Sequence, residues 1–123
     1  MEDALQIRVM IVDDHPIVRN GLKFLLFAID DMEFVGEAGS GRETLIRCQE
    51  WSPDVILMDL IMPGMDGLET TRAVLEPCPD VKIIVLTSFP EKDLVQKALE
   101  AGAVGYLLKN VPVETLADAI RSA

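Results

Sequence analysis

Five short strand-like stretches punctuate the chain, and each is followed by residues at helical spacing. Four are almost wholly apolar: Ile7 to Val12 (broken only by Arg8), Val55 to Met58, Val81 to Leu86, and Val104 to Leu108. Val55 to Met58 is short and unbroken enough to be a strand buried on both faces, and Ile7 to Val12 reads as a further buried strand. The stretch Glu33 to Ala38 differs: Phe34, Gly36 and Ala38 oppose Glu33 and Glu37, with Val35 out of step, a half-polar pattern that suits an edge strand. Strand and helix alternating five times over short links is the pattern of an α/β fold, a doubly wound parallel sheet covered by helices on both faces.

The helices carry their own start and stop signals. Pro16 fits the first position of a helix, where its missing amide hydrogen costs nothing, and Val18, Leu22, Leu25, Leu26 and Ile29 then form one face. Ser40 caps a second helix whose polar residues outnumber its expected buried ones, Leu45, Ile46 and Cys48; Trp51 ends it against Ser52-Pro53. Asp66 caps a third helix to about Leu75, before Pro77 and Pro79. Leu94, Val95, Ala98 and Leu99 mark a fourth, stopped by Gly102. Pro112 opens a fifth that uses Val113, Leu116, Ala117 and Ile120.

Composition narrows the function. At 123 residues the chain is one domain with room for one sizeable core. Its formal charge of −10 argues against binding nucleic acid, which needs clustered Lys and Arg, and suits a domain that binds a cation. No apolar run approaches the ~18 residues of a membrane span, and the start lacks a signal pattern, so a cytoplasmic protein without membrane contact is expected. Cys48 and Cys78 have no motif spacing, so neither a disulfide nor a metal pair is expected. The chain stops at Ala123 within the fifth helical pattern, as a fragment of something longer would.

The reactive residues fall at the strand ends. Asp13 and Asp14, Asp59, Thr87, and Lys109 each follow an apolar strand directly. In a parallel sheet all carboxyl ends lie on one rim, where such sheets bind ligands, so these groups converge. Three carboxylates packed together repel unless cations compensate. Lys109 supplies one positive charge, and an all-oxygen site suits Mg2+. A carboxylate nucleophile, Asp59, with a hard cation, an ammonium and a hydroxyl makes a site for a phosphoryl group. His15 is adjacent but begins a helix before Pro16, and magnesium prefers oxygen, so a structural role is expected for it.

The acidic pair, the aspartate followed by IMPGMDG two residues on, the Thr87-Ser88 and Lys109 resemble, in order and spacing, the receiver domains of two-component response regulators. DDHPIVRNGL and Lys109-Asn110 look most like the NarL/FixJ type. The resemblance implies a flavodoxin-like (CheY-like) strand order of 2-1-3-4-5 and phosphorylation of Asp59 by a sensor histidine kinase. It implies that Asp14, Asp59 and the carbonyl of Ile61 bind the magnesium with Asp13 acting through water, that Lys109 and Thr87 hold the phosphoryl oxygens, and that Thr87 and Tyr106 form a switch. It also implies kinase docking around Ile17, Asn20 and Gly21, a phosphorylation-dependent homodimer, and a DNA-binding output domain beyond Ala123. Where many such receivers have Lys-Pro with a cis bond, this chain has Lys109-Asn110. Ile61 and Phe89, two residues past Asp59 and Thr87, are expected over the phosphoryl site, obstructing water.

Other functions fit less well. A haloacid dehalogenase-type phosphohydrolase needs a second aspartate two residues after the nucleophile, where this chain has Ile61. A flavin carrier needs small and hydroxyl residues where Asp13-Asp14 stand. The alternative that keeps the fold is a phosphorylation-independent pseudo-receiver, a protein-interaction module. The expected activity is therefore not that of an enzyme on an external substrate: the domain catalyses only its own phosphorylation and dephosphorylation.

Overall fold

The computed structural model describes residues 6–88 and 91–123. Its elements run β1 (Ile7–Val12), α1 (Pro16–Phe27), β2 (Met32–Ala38), α2 (Gly41–Trp51), β3 (Val55–Asp59), α3 (Gly67–Val74), β4 (Lys82–Thr87), α4 (Lys92–Ala101), β5 (Gly105–Leu108) and α5 (Val113–Ser122). The sheet has the order β2-β1-β3-β4-β5, and every neighbouring pair is parallel. This is the doubly wound arrangement that the alternating pattern predicts.

Strand alternation divides the core in two. Val9, Ile11, Val55, Leu57, Ile84 and Leu86 point to one face, where Leu22 and Leu26 of α1 and Leu116 and Ile120 of α5 cover them. Met10, Val12, Ile56, Met58, Ile83 and Val85 point to the other, against Cys48 of α2, Val74 of α3 and Ala98 of α4. The period of two along each strand thus places α1 and α5 on one side of the sheet and the other three helices opposite. All five residues of β3 are buried, as expected of the central strand.

The irregular residues have local causes. The β1–β2 register pairs Val9 with Phe34 and Met10 with Gly36, so Val35 is an extra residue in the edge strand. Across that bulge Val35 packs on the face of Ala38 while Phe34 packs on the opposite face, so Phe34, Gly36 and Ala38 do not share one face as their alternation predicts. Ser40 caps α2 by accepting a hydrogen bond from the Glu43 backbone amide. One expected core residue of α2 is misplaced: Ile46 is 60% exposed. Thr44 is buried instead, its hydroxyl satisfied by donating to the Ser40 carbonyl at 2.7 Å.

At Gly36 the end of α2 packs tightly against β2. A β-carbon there would overlap the ring of Trp51, the last residue of α2. Because the backbone of β2 and an indole are both hard to displace, Gly36→Ala is expected to lower stability by about 1–3 kcal/mol, the usual cost of forcing extra volume into a packed site. Urea denaturation followed by the fluorescence of the single tryptophan measures it; an unchanged midpoint would contradict the packing described.

Candidate functional site

At the carboxyl ends of the strands, β1 runs into Asp13 and Asp14, β3 ends on Asp59, β4 ends on Thr87, and β5 runs into Lys109. The sheet order makes β1, β3, β4 and β5 consecutive, so their ends form one continuous rim. Asp13, Asp59 and Thr87 are all buried there.

Lys109 joins the carboxylates. Its Nζ donates to Asp13 Oδ2 at 2.9 Å and lies 3.2 Å from Asp59 Oδ1. The other oxygen of Asp13 accepts from the His15 backbone amide at 2.9 Å, and Asp59 Oδ1 accepts a longer bond of 3.4 Å from the Ile61 amide. Burial, and then repulsion from Asp13, push the Asp59 carboxyl above the ordinary carboxylate range; Lys109 and the Ile61 amide only partly offset this. For Lys109, burial works against the charged form, but the bonds and charges of Asp13 and Asp59 outweigh it and hold the amine above its usual value. The site therefore keeps its ammonium and strains to keep its carboxylate.

The donor set suits a hard cation. Asp13, Asp14, His15 and Asp59 each bring one ligand atom within 4.8 Å of the others. Asp14 Oδ1 is buried and accepts no hydrogen bond, although His15 Nδ1 approaches to 3.1 Å. A buried carboxylate oxygen without a donor is costly unless something positive meets it. Three carboxylates around one gap fit a divalent ion with oxygen preference such as magnesium.

The backbone connects the remaining residues to this centre. Thr87 pairs in register with Leu108, and the Lys109 amide donates to the Thr87 carbonyl at 2.9 Å, so the two are locked side by side. Tyr106, in register with Val85, is 42% exposed on edge strand β5. Ile61 is 60% exposed two residues past Asp59, with Leu60 and Met62 buried on either side of it. Phe89 lies outside the described residues. Ile17, Asn20 and Gly21 share the exposed side of α1. The Lys109–Asn110 bond is trans: no cis peptide occurs among the described residues.

Two features escaped the sequence reading. His15 is the N-cap of α1, as its place before Pro16 predicts, yet its Nδ1 also lies 3.0 Å from Asp13 Oδ1. Arg19 and Lys23 of α1 both meet Glu37 of β2 at 2.7 Å, and Arg19 also donates to the Asp13 carbonyl at 2.6 Å. Their spacing of one helical turn, matched to the last acidic residue of the edge strand, was the available signal. Together they fasten the acidic loop from behind.

Gly67 holds the other side. A β-carbon there would overlap the Asp59 carbonyl oxygen, and the Gly67 amide donates to the Leu60 carbonyl at 2.9 Å. Asp66 and Glu69 complete a capping box at the same turn. The chain after Asp59 is thereby pressed against the start of α3.

Comparison with known proteins agrees with this geometry. The response regulator receiver domain family profile matches residues 9–121. The chain belongs to that family. It is 52% identical over 117 residues to the transcriptional regulatory protein LiaR of Bacillus subtilis and 44% identical over the same length to the response regulator protein VraR of Staphylococcus aureus. In both cases the match covers 95% of this chain and 56% of the relative, so the chain spans little more than half the length of these curated proteins. Among solved structures, the receiver domain of the response regulator NarL from Mycobacterium tuberculosis superposes with a TM-score of 0.86 at 32% identity, covering 98% of this chain and 100% of that one. The receiver is thus of the NarL/FixJ type that its first acidic loop resembles. Among the described residues, no helix is long and apolar enough to cross a membrane.

The charge balance at the rim has a measurable consequence. With its folded value raised, Asp59 is protonated in both folded and unfolded states at low pH and costs no stability there. As pH rises above the ordinary value of 3.8, the unfolded state ionises first and the native state is penalised, fully so above the folded value. Asp59→Asn in metal-free buffer is therefore expected to raise the thermal midpoint by a few degrees at neutral pH, and the gain should vanish below the ordinary carboxylate range. Calorimetry across that pH range checks it.

Proposed function

We propose that this receiver is a phosphorylation-controlled switch in which Asp59 accepts a phosphoryl group from a sensor histidine kinase. The observation that supports this most directly is the buried Asp59 carboxylate, paired to Lys109 at 3.2 Å and facing Asp13 and Asp14 across the same gap. In this reading Asp59 is the nucleophile: one carboxylate oxygen forms the new bond to phosphorus while the bond to the donor's histidine nitrogen breaks. Asp14, Asp59 and the Ile61 carbonyl would hold magnesium, with Asp13 acting through water. Such an ion, when bound, supplies positive charge to the phosphoryl oxygens and removes the repulsion among the carboxylates. Lys109 changes partner, leaving carboxylates for a phosphoryl oxygen, and the Thr87 hydroxyl donates to another.

The response follows from that exchange. A phosphoryl group brings charge and acceptor oxygens to the rim, favouring whichever position of the β4 end puts Thr87 in contact with it. Movement of Thr87 opens space toward Tyr106, which now stands half-exposed on β5, and so alters the face made by α4, β5 and α5. Docking of the kinase on α1 around Ile17, Asn20 and Gly21, phosphorylation-dependent homodimerisation, and control of a DNA-binding output domain complete the reading, which places the protein in the cytoplasm. The receiver contacts no nucleic acid itself. Catalysis here is directed at the protein's own side chain.

Incubation with acetyl phosphate and magnesium, read by intact-mass spectrometry, tests the proposal. The expected result is a gain of one phosphate that requires the metal and is lost in Asp59→Asn. A folded protein that gains none would favour the phosphorylation-independent interaction module.

Ile61 gives a second test. In this reading its apolar side chain, exposed two residues past Asp59, lies over the phosphoryl site and obstructs attacking water. Ile61→Asn is expected to shorten the lifetime of the phosphorylated state several-fold, followed as decay of the phosphorylated mass; an unchanged lifetime would remove Ile61 from this role.

A further inference from the structure

The two cysteines, which no sequence motif links, meet at the opposite end of the sheet from Asp59. Cys48 lies in the last turn of α2 and is wholly buried; Cys78 lies in the connection from α3 to β4 and is half-buried. Their sulfurs are 3.2 Å apart, both as free thiols. The backbone holds each in place. The Cys48 carbonyl accepts from the Ser52 amide at 3.0 Å, while Cys78 donates to the Val74 carbonyl at 2.9 Å and accepts from the Val81 amide at 3.3 Å. A surface pocket of about 670 Å³, lined by both cysteines and by Pro53, Pro77, Pro79 and Asp80, gives a small molecule a way in.

We propose that Cys48 and Cys78 form an oxidisable thiol pair that a peroxide converts to a disulfide, giving the domain a redox-sensitive site separate from its phosphorylation site. The sulfurs stand about 1.2 Å beyond the ~2.05 Å of a disulfide bond. The half-exposed Cys78 reacts first: its sulfur attacks one peroxide oxygen, the O–O bond breaks, the thiol proton leaves with the departing oxygen as water, and Cys78 becomes a sulfenic acid. Cys48 then attacks the Cys78 sulfur, the S–O bond breaks, and the Cys48 proton leaves with the hydroxyl as a second water. Two thiols are oxidised by two electrons in all, and one peroxide is reduced to two waters.

Burial, reinforced by the contact with Cys78, pushes the Cys48 thiol up to about 12. That makes it a poor first nucleophile toward peroxide; its part as the resolving thiol rests on the 3.2 Å that separates it from the Cys78 sulfur. Closing the bond ties α2 to the α3–β4 connection and encloses β3, the Asp59 loop and α3 in one covalent loop. Disulfides of this transient kind are the form that reducing compartments tolerate.

The test treats the purified chain with hydrogen peroxide, then alkylates it under denaturing conditions. The expected result is loss of both alkylatable thiols with a mass lower by two hydrogens, a peptide pair joined through Cys48 and Cys78, reversal by dithiothreitol, and a thermal midpoint raised by several degrees. In Cys48→Ala, dimedone is expected to trap the sulfenic acid on Cys78. Both thiols still alkylatable after peroxide, or cross-links only between chains, would overturn the proposal; a variant that gives no dimedone adduct on Cys78 would overturn the sulfenic route.

Discussion

One ammonium shared by two buried carboxylates sets the terms for the rest of this molecule. Lys109 reaches Asp13 and Asp59 together only because β1, β3, β4 and β5 end at a common level, and that level is set by the parallel register of the sheet. A buried ion pair is poor evidence of stability, since the cost of removing charges from water competes with their attraction. Here the balance is worse than neutral. Asp13, Asp14 and Asp59 outnumber the single lysine, and one oxygen of Asp14 accepts no hydrogen bond. Folding concentrates negative charge where an oxygen-seeking cation and a phosphoryl group would relieve it, which is the stored imbalance expected of a functional site rather than of a structural core.

The scaffold around this centre is correspondingly conservative. Every strand residue from Val9 to Val12 and from Val55 to Asp59 is buried, and the two faces of the sheet are covered by separate helix sets. The polar rim is held by secondary contacts: Arg19 and Lys23 against Glu37 behind Asp13, and the Gly67 turn beneath Asp59. Glu37 is held below its usual carboxylate range, chiefly by the bond from Lys23 and then by Arg19, despite partial burial. Of these residues Arg19 holds the Asp13 carbonyl and Gly67 the Leu60 carbonyl, so the backbone on either side of the carboxylates is fixed from outside the gap.

How much of this was legible beforehand depended on whether the signal was local. The strands, the helix caps at Ser40 and Asp66, and the rim residues are readable because each is marked by its immediate neighbours: an apolar run, a capping oxygen, a reactive residue just past a strand. Ile46 was misread because helical spacing alone does not say how wide the buried stripe is, and α2 buries its small Thr44 while leaving Ile46 in solvent. Val35 looked anomalous because a bulge is a property of two strands together. The Arg19–Glu37 and Cys48–Cys78 contacts join residues 18 and 30 positions apart. The one-turn spacing of Arg19 and Lys23 hints at an acidic partner without saying which, and nothing near Cys48 announces Cys78; only the completed packing brings them together.

The helix starts around the rim are not equally secured. On the α2 and α3 side, Ser40 and Asp66 both bind the first turns of their helices, and the Asp66–Glu69 box is reciprocal. On the α4 and α5 side, Glu91 and Pro112 provide no side-chain cap. On the acidic loop itself, His15 likewise gives α1 no side-chain cap, so only α2 and α3 are fastened in this way. A side-chain cap is worth about 1 kcal/mol to a helix end, so fraying at the rim is expected to begin at the first turns of α1, α4 and α5 while those of α2 and α3 hold.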